Sequence, residues 1–220
     1  MASASQMGSR LVFENAKTLI RQLGYNTDHA VLTQSYLRGE VLLNTTQASY
    51  QVPLLVNTAT NTNNTVRTKL LNLQDLFVVS NISIFLVSGA ATNGASKNYT
   101  YPNVTAFPTG AAQLYNLYNG NLSIVANNQQ ILPAWDILKH YFVPQTQNGV
   151  GITAQTVFPI DQVDFYTDAS CVVEPNIVLN GAANYQININ LPAAPSTLDA
   201  NTFVAIKWNG LLAQNCTSVK

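Results

Sequence analysis

Charge is what this chain most lacks. Asp, Glu, Lys and Arg supply 9% of its 220 residues, against an average near 25% for soluble proteins. An extended nucleic-acid groove is excluded, because several bases must neutralise phosphates there. Only two histidines and three glutamates are present, so the usual general acids and bases are scarce. Neither a G-x-S-x-G nor an H-E-x-x-H sequence occurs, and no phosphate-binding or dinucleotide glycine loop is found. Cysteine appears at Cys171 and Cys216 only. Two thiols make no disulfide framework, and both are expected to be reduced and buried. Long apolar runs are missing too. The best, LFVVSNISIFLVS at 76–88, is broken by Ser80, Asn81 and Ser83, well short of the ~20 residues that cross a bilayer. MASASQMGSR leads into a mixed segment and not into the apolar core of a secretory signal. The expectation is therefore no transmembrane segment and no signal peptide.

What is abundant is apolar and amide side chains. The hydrophobic fraction is 47%, and Asn alone fills 26 positions. A disordered chain lacks that much apolar material, so a folded core with a neutral polar surface is expected. The net charge is zero but unevenly placed. Residues 1–69 hold six bases (Arg10, Lys17, Arg21, Arg38, Arg67, Lys69) and three acids (Glu14, Asp28, Glu40).

The first element is helical. In SRLVFENAKTLIRQLG, Val12, Ala16, Leu19, Ile20 and Leu23 share one face while Arg10, Glu14, Lys17 and Arg21 share the other. That is amphipathic helix spacing over 9–23, with Ser9 placed to cap the start and Gly24 the end. The apolar face is expected to pack on another subunit. The basic polar face suits a weak contact with lipid or nucleic acid.

From residue 36 the period becomes strand-like. Candidate strands are 36–43, 49–56, 66–71, 76–87, 112–118, 121–127, 152–158, 162–167, 171–179, 185–191 and 202–208, rich in Val, Ile, Leu, Tyr and Phe. Asn119-Gly120 between two apolar runs is a hairpin signal. Pro133 can open a short helix, AWDILKHYF. The chain divides into an N-terminal arm and helix (1–35) and one sandwich domain (36–220). Many short strands with frequent turns predict an all-β, antiparallel, jelly-roll-like sandwich, with the N-terminal helix and one short internal helix.

The most informative stretch is EPNIVLNGAANYQININLP at 174–192. Ile177, Leu179, Tyr185, Ile187, Ile189 and Leu191 fall on one parity. Gln186, Asn188 and Asn190 fall on the other. Two half-buried strands around a turn follow. The amide face carries no charge, and amides can satisfy polar groups across an interface without burying one. Gln186, Asn188 and Asn190 are therefore the expected assembly contacts, together with Val12, Ala16, Leu19, Ile20 and Leu23 of the helix.

Other candidates read as structural. His29 and His140 are expected at the surface or its boundary. Asp161, Asp164 and Asp168 miss the spacing of a calcium loop. Trp208 ends an alternating strand and is expected in the core; Trp135 is expected to pack inward from a helix. Loop 88–110 carries Tyr99, Tyr101 and Phe107, so it is expected to be ordered and packed. It is also the segment that a glycan-binding or adhesin-type module would present. No catalytic residue, cofactor, metal or small-molecule substrate is indicated.

The hairpin 174–192, the Pro/Ala loop AAPSTLDA, the final strand and turn NTFVAIKWNGLLAQN, the N-terminal helix and the Asn/Thr-rich surface together have the look of one group. Over residues 36–215 the chain resembles the jelly-roll capsid proteins of tailless icosahedral viruses. The resemblance implies a non-enzymatic shell subunit of the virion. Its partners would be copies of itself and other virion proteins.

Overall fold

The computed structural model describes residues 4–28, 30–56, 68–89, 97–143, 170–214 and 217–218. The long strands form two antiparallel sheets. In the first, β2 (Val31–Leu42) pairs β10 (Thr202–Gln214), and β10 pairs β4 (Leu76–Ser88). The far side of β4 is shared by β8 (Ser170–Asn180) along its first part and β5 (Lys97–Tyr99) along its last. The second sheet runs β3 (Ser49–Val52), β9 (Tyr185–Asn190), β6 (Asn121–Ala126) and β7 (Gln129–Asp136). A small ribbon joins β1 (Tyr25–Asn26) to β11 (Thr217–Ser218).

Pairing is nested. β2 meets β10, β3 meets β9, β4 meets β8, and β6 meets β7, all antiparallel. One long hairpin rolled across two sheets gives this order, and the expected jelly-roll sandwich is its name. Alternation sorts the faces. Val204, Ile206 and Trp208 of β10, Ile82, Ile84 and Leu86 of β4, and Ile187 and Ile189 of β9 meet in one buried core. Trp208 is wholly buried there, as its place on an alternating strand implied.

Several local expectations are corrected. Residues 112–118, read as a strand, belong to helix α2 (Ala111–Tyr118). Ala111, Leu114, Leu117 and Tyr118 are its buried residues, which is helical and not alternating spacing. Asn119-Gly120 is no hairpin turn but the junction of α2 with β6. Gly120 is needed because a Cβ there would collide with the Asn190 carbonyl. The hairpin lies one strand later, at Asn127 and Asn128, whose φ of 49° and 64° are the two positive values a type I′ turn demands. Pro133 sits within β7, so Trp135 is on a strand; only Ile137–His140 is helical, as a single 3₁₀ turn. β3 ends before Pro53, and β2 begins at Val31, inside the segment read as an arm. The candidate strands 152–158 and 162–167, Asp161, Asp164 and Asp168, His29 and Cys216 lie outside the described residues.

The later part of the long loop, from Tyr99 to Gly110, is held in place. Tyr99 meets Phe107 edge-on, with ring centroids 5.5 Å apart, and Phe107 is fully buried. The Asp199 carboxylate, from the loop before β10, accepts from the amides of Gly110 (2.8 Å) and Thr109 (3.1 Å) at the start of α2. These are the amides of the N-cap residue and of the residue before it, so the carboxylate fixes the chain just ahead of the helix and lies near the positive end of its dipole. Asp199→Ala is therefore expected to cost about 1 kcal/mol. In a thermal melt that is a fall of roughly 2–4 °C for a chain of this size.

Candidate assembly interface

Helix α1 (Ala4–Gln22) lies on the outer face of the five-stranded sheet. Ala16 and Ile20 are buried against Leu76 and Val78 of β4 and Leu211 and Ala213 of β10, with Phe13, Leu19, Tyr25, Leu32 and Val178 around them. This corrects the expectation of subunit packing for Ala16 and Ile20, which the chain's own sheet already covers, while Leu19 is only partly buried there. The reason is parity. β4 and β10 carry apolar residues on both faces at this end, so one face needs a helix. Leu23 lies just beyond the helix and remains exposed, while the Val12 side chain lies outside the described residues. Of the polar face, Glu14 and Arg21 are in water.

The second sheet presents a different outer surface. β9 is central in it. Tyr185, Ile187 and Ile189 are buried, whereas Gln186 is exposed and Asn188 and Asn190 are partly exposed. Register places Ser49 of β3 and Asn121 of β6 on either side of Asn190, and Gln51 and Ser123 on either side of Asn188. One row is tied together. The Ser49 hydroxyl donates to Asn190 Oδ1 at 2.8 Å, and Asn190 Nδ2 donates to Asn121 Oδ1 at 3.2 Å. No charged residue occurs anywhere in β3, β9 or β6. The nearest carboxylate in the row is Asp136 at the β7 end, opposite Asn121, and it accepts from the Leu138 amide at 2.9 Å. The three expected residues Gln186, Asn188 and Asn190 thus share one hydrogen-bonding surface on strands without charge. Ser49, Gln51, Asn121 and Ser123 extend it, and Val125 of β6 lies beside Gln186. Sequence reading missed these four because strand neighbours are set by the roll and not by local pattern.

Charge gathers instead on the outer face of the first sheet. Arg38 Nη2 lies 2.7 Å from Glu40 Oε1, with the Glu40 side chain 1% exposed. Arg38 also donates to Asn98 Oδ1 at 2.9 Å. Lys207 lies 4.9 Å from the Tyr36 ring centroid. Burial, with Arg38 as a neighbour, lowers the Lys207 pKa.

His140 is fully buried, contrary to the surface expectation. Its Nε2 accepts from the Trp135 indole at 2.9 Å, and the Lys139 ammonium sits 4.5 Å from the Trp135 ring centroid. An indole N–H can only donate, so the pair is a structural lock between β7 and the 3₁₀ turn. Trp135→Phe removes the donor beside a buried acceptor. It is expected to lower the unfolding free energy by about 1–3 kcal/mol, read as a reduced denaturant midpoint. Cys171 is a free, half-exposed thiol and not a buried one; partial burial raises its pKa, against a smaller lowering by Lys139.

Among the described residues no group of three or more His, Cys, Asp or Glu side chains gathers, and no helix is long and apolar enough to cross a membrane. Comparison with protein-family models, with curated proteins and with solved structures finds no match.

Proposed function

We propose that the chain is a non-enzymatic structural protein. It self-assembles into a closed shell, as the jelly-roll capsid proteins it resembles do, and so belongs to a virion. One observation carries the reading: three adjacent strands, β3, β9 and β6, with no charge between them and an outer face of amides and hydroxyls in which Val125, beside Gln186, is the apolar member. Interface centres are depleted of charge, while a surface that stays in water gains solubility from it. The jelly-roll order supports the reading without deciding it, because lectins share the architecture. A glycan-binding role for the long loop has less support. Phe107 and Tyr99 pack on each other and on the core, and Trp208 is interior, so none of these offers an open ring face to a sugar.

The test is to express the chain alone and weigh its assemblies by native mass spectrometry across salt concentrations. Closed homo-oligomers that persist as salt rises are expected, since contacts between amides are little screened. A monomer at tens of micromolar under all conditions overturns the proposal.

A further inference from the structure

A sheet edge offers backbone donors and acceptors to any chain that fits, and natural sheets guard their edges with short strands, proline, bulges or charge. Four edges here are guarded. β3 has four residues and is followed by Pro53. β5 has three and opens with Lys97. β7 contains Pro133 and two breaks in register. β8 carries Glu174-Pro175 at its middle.

β2 is the exception. It runs in unbroken register with β10 from Val31 to Leu42. On its other side Arg38 exchanges both backbone bonds with Lys69, at 2.8 and 3.0 Å. Parity then fixes the rest of the strand. Even-numbered residues point their N–H and C=O away from β10, as Arg38 does. Among the described residues nothing pairs with those groups at Leu32, Gln34 or Tyr36. The stretch VLTQSY has no proline, no bulge and no charge, and Val31, Gln34 and Tyr36 are exposed.

We infer that two copies of the chain join along this edge, β2 antiparallel to β2 about a two-fold axis at Gln34, merging their five-stranded sheets into one. The proposal deepens the self-assembly reading above, by a surface separate from the β9 face. The edge is self-complementary. With Gln34 opposite Gln34, Leu32 of each copy falls opposite Tyr36 of the other, and at all three positions the N–H and C=O groups have no partner among the described residues. Thr33 falls opposite Ser35. No like charges meet, which is the condition an isologous strand pair must satisfy. Lys69 ends the open stretch, with its ammonium 3.2 Å from Ser35 Oγ and 5.5 Å from the Tyr36 ring centroid. The two-fold puts the two Lys69 side chains at opposite ends of the paired segment.

Charge at Gln34 tests the axis. Gln34→Lys and Gln34→Glu each place like charges directly opposite, while an equimolar mixture places opposite ones there. In sedimentation at low salt, each variant alone is expected to dissociate on the order of tenfold more readily than the parent, and the mixture to recover the parent's association. Gln34 is exposed in the single chain, so far-UV spectra should match the parent. A second reading needs no substitution. The Leu32, Gln34 and Tyr36 amides should exchange with solvent slowly in concentrated parent protein and fast on dilution, while those of Thr33 and Ser35 stay protected throughout. A parent that is monomeric at 100-fold dilution and at full concentration alike overturns the inference. So does association indifferent to both charges, or a mixture no better than either variant, which would assign the edge to a different strand. Asn188→Glu should leave this pairing intact. A dimer without a shell therefore defeats the proposed function alone, and a shell that forms equally well with Gln34→Lys defeats the edge alone.

Discussion

Ile187→Glu is expected to abolish folding, whereas Asn188→Glu should leave the single chain as stable as the parent and block assembly beyond the β2-paired dimer. These adjacent residues of β9 point to opposite faces of one strand. Ile187 is 1% exposed between Val52 of β3 and Ile124 of β6. A carboxylate there finds no partner in the apolar core. Its cost, on the order of 5 kcal/mol or more, compares with the whole stability of a domain, roughly 5–15 kcal/mol. Asn188 is partly exposed in the single chain, flanked by Gln51 and Ser123. A carboxylate there remains hydrated until another surface covers it, and then lacks a base to pair with. The penalty falls on association, at roughly 3–5 kcal/mol for a buried unpaired charge. Far-UV spectra and melting temperatures read the first effect, and native mass the second. If Asn188→Glu assembles like the parent, the amide face stays wet and the proposed function loses the observation that carries it.

How much of this was legible in the sequence depends on how locally each feature is determined. The two strands of 174–192 were readable because period-two alternation records burial on one face and nothing else. The end of β10 was not. Asn209-Gly210 looks like a turn, yet the strand runs on to Gln214. The glycine is required by contact across the sheet, since a Cβ at Gly210 would collide with the Val78 carbonyl. Gly120 misled in the same way: it answers a close approach of β9 and not a positive φ. Residues 111–118 fit both periods over so short a span, and the contact that favours the helix, Asp199 on the amide of its N-cap residue Gly110, comes from 89 residues away. At the candidate interface, Gln186, Asn188 and Asn190 were visible because they sit on one strand. Ser49, Gln51, Asn121 and Ser123 were invisible, because only the nesting of β3 with β9 and β6 brings them alongside. The open edge of β2 was hidden for the same reason. A sequence shows that a stretch such as VLTQSY is uncharged but not that, among the described residues, nothing pairs with its outer side.

Removal of residues 1–24 is expected to unfold or aggregate the chain, and not merely to weaken its assembly. An amphipathic terminal helix can serve its own domain or a neighbour, and the sequence is the same in both cases. The packing decides it. Ile20 is 0% and Ala16 1% exposed, seated on Leu76, Val78, Leu211 and Ala213. Truncation bares all four sheet residues at once. At ~25 cal/mol per Å² of apolar surface returned to water, the loss is on the order of 5 kcal/mol. The bared patch would also lie on the outer face of a sheet, where it invites non-specific association. Point substitutions separate the helix's two sides. Ile20→Ala should cost about 2–5 kcal/mol of stability, seen as a lower denaturant midpoint at any protein concentration. Leu23→Ala, at a site 53% exposed, should leave that midpoint within about 0.5 kcal/mol of the parent. If Leu23→Ala nevertheless reduces the mass of the assemblies, the exposed end of this segment touches a second subunit. If instead the truncated chain melts like the parent, α1 adds nothing to the sheet it covers, and the burial of Ile20 has been given the wrong weight.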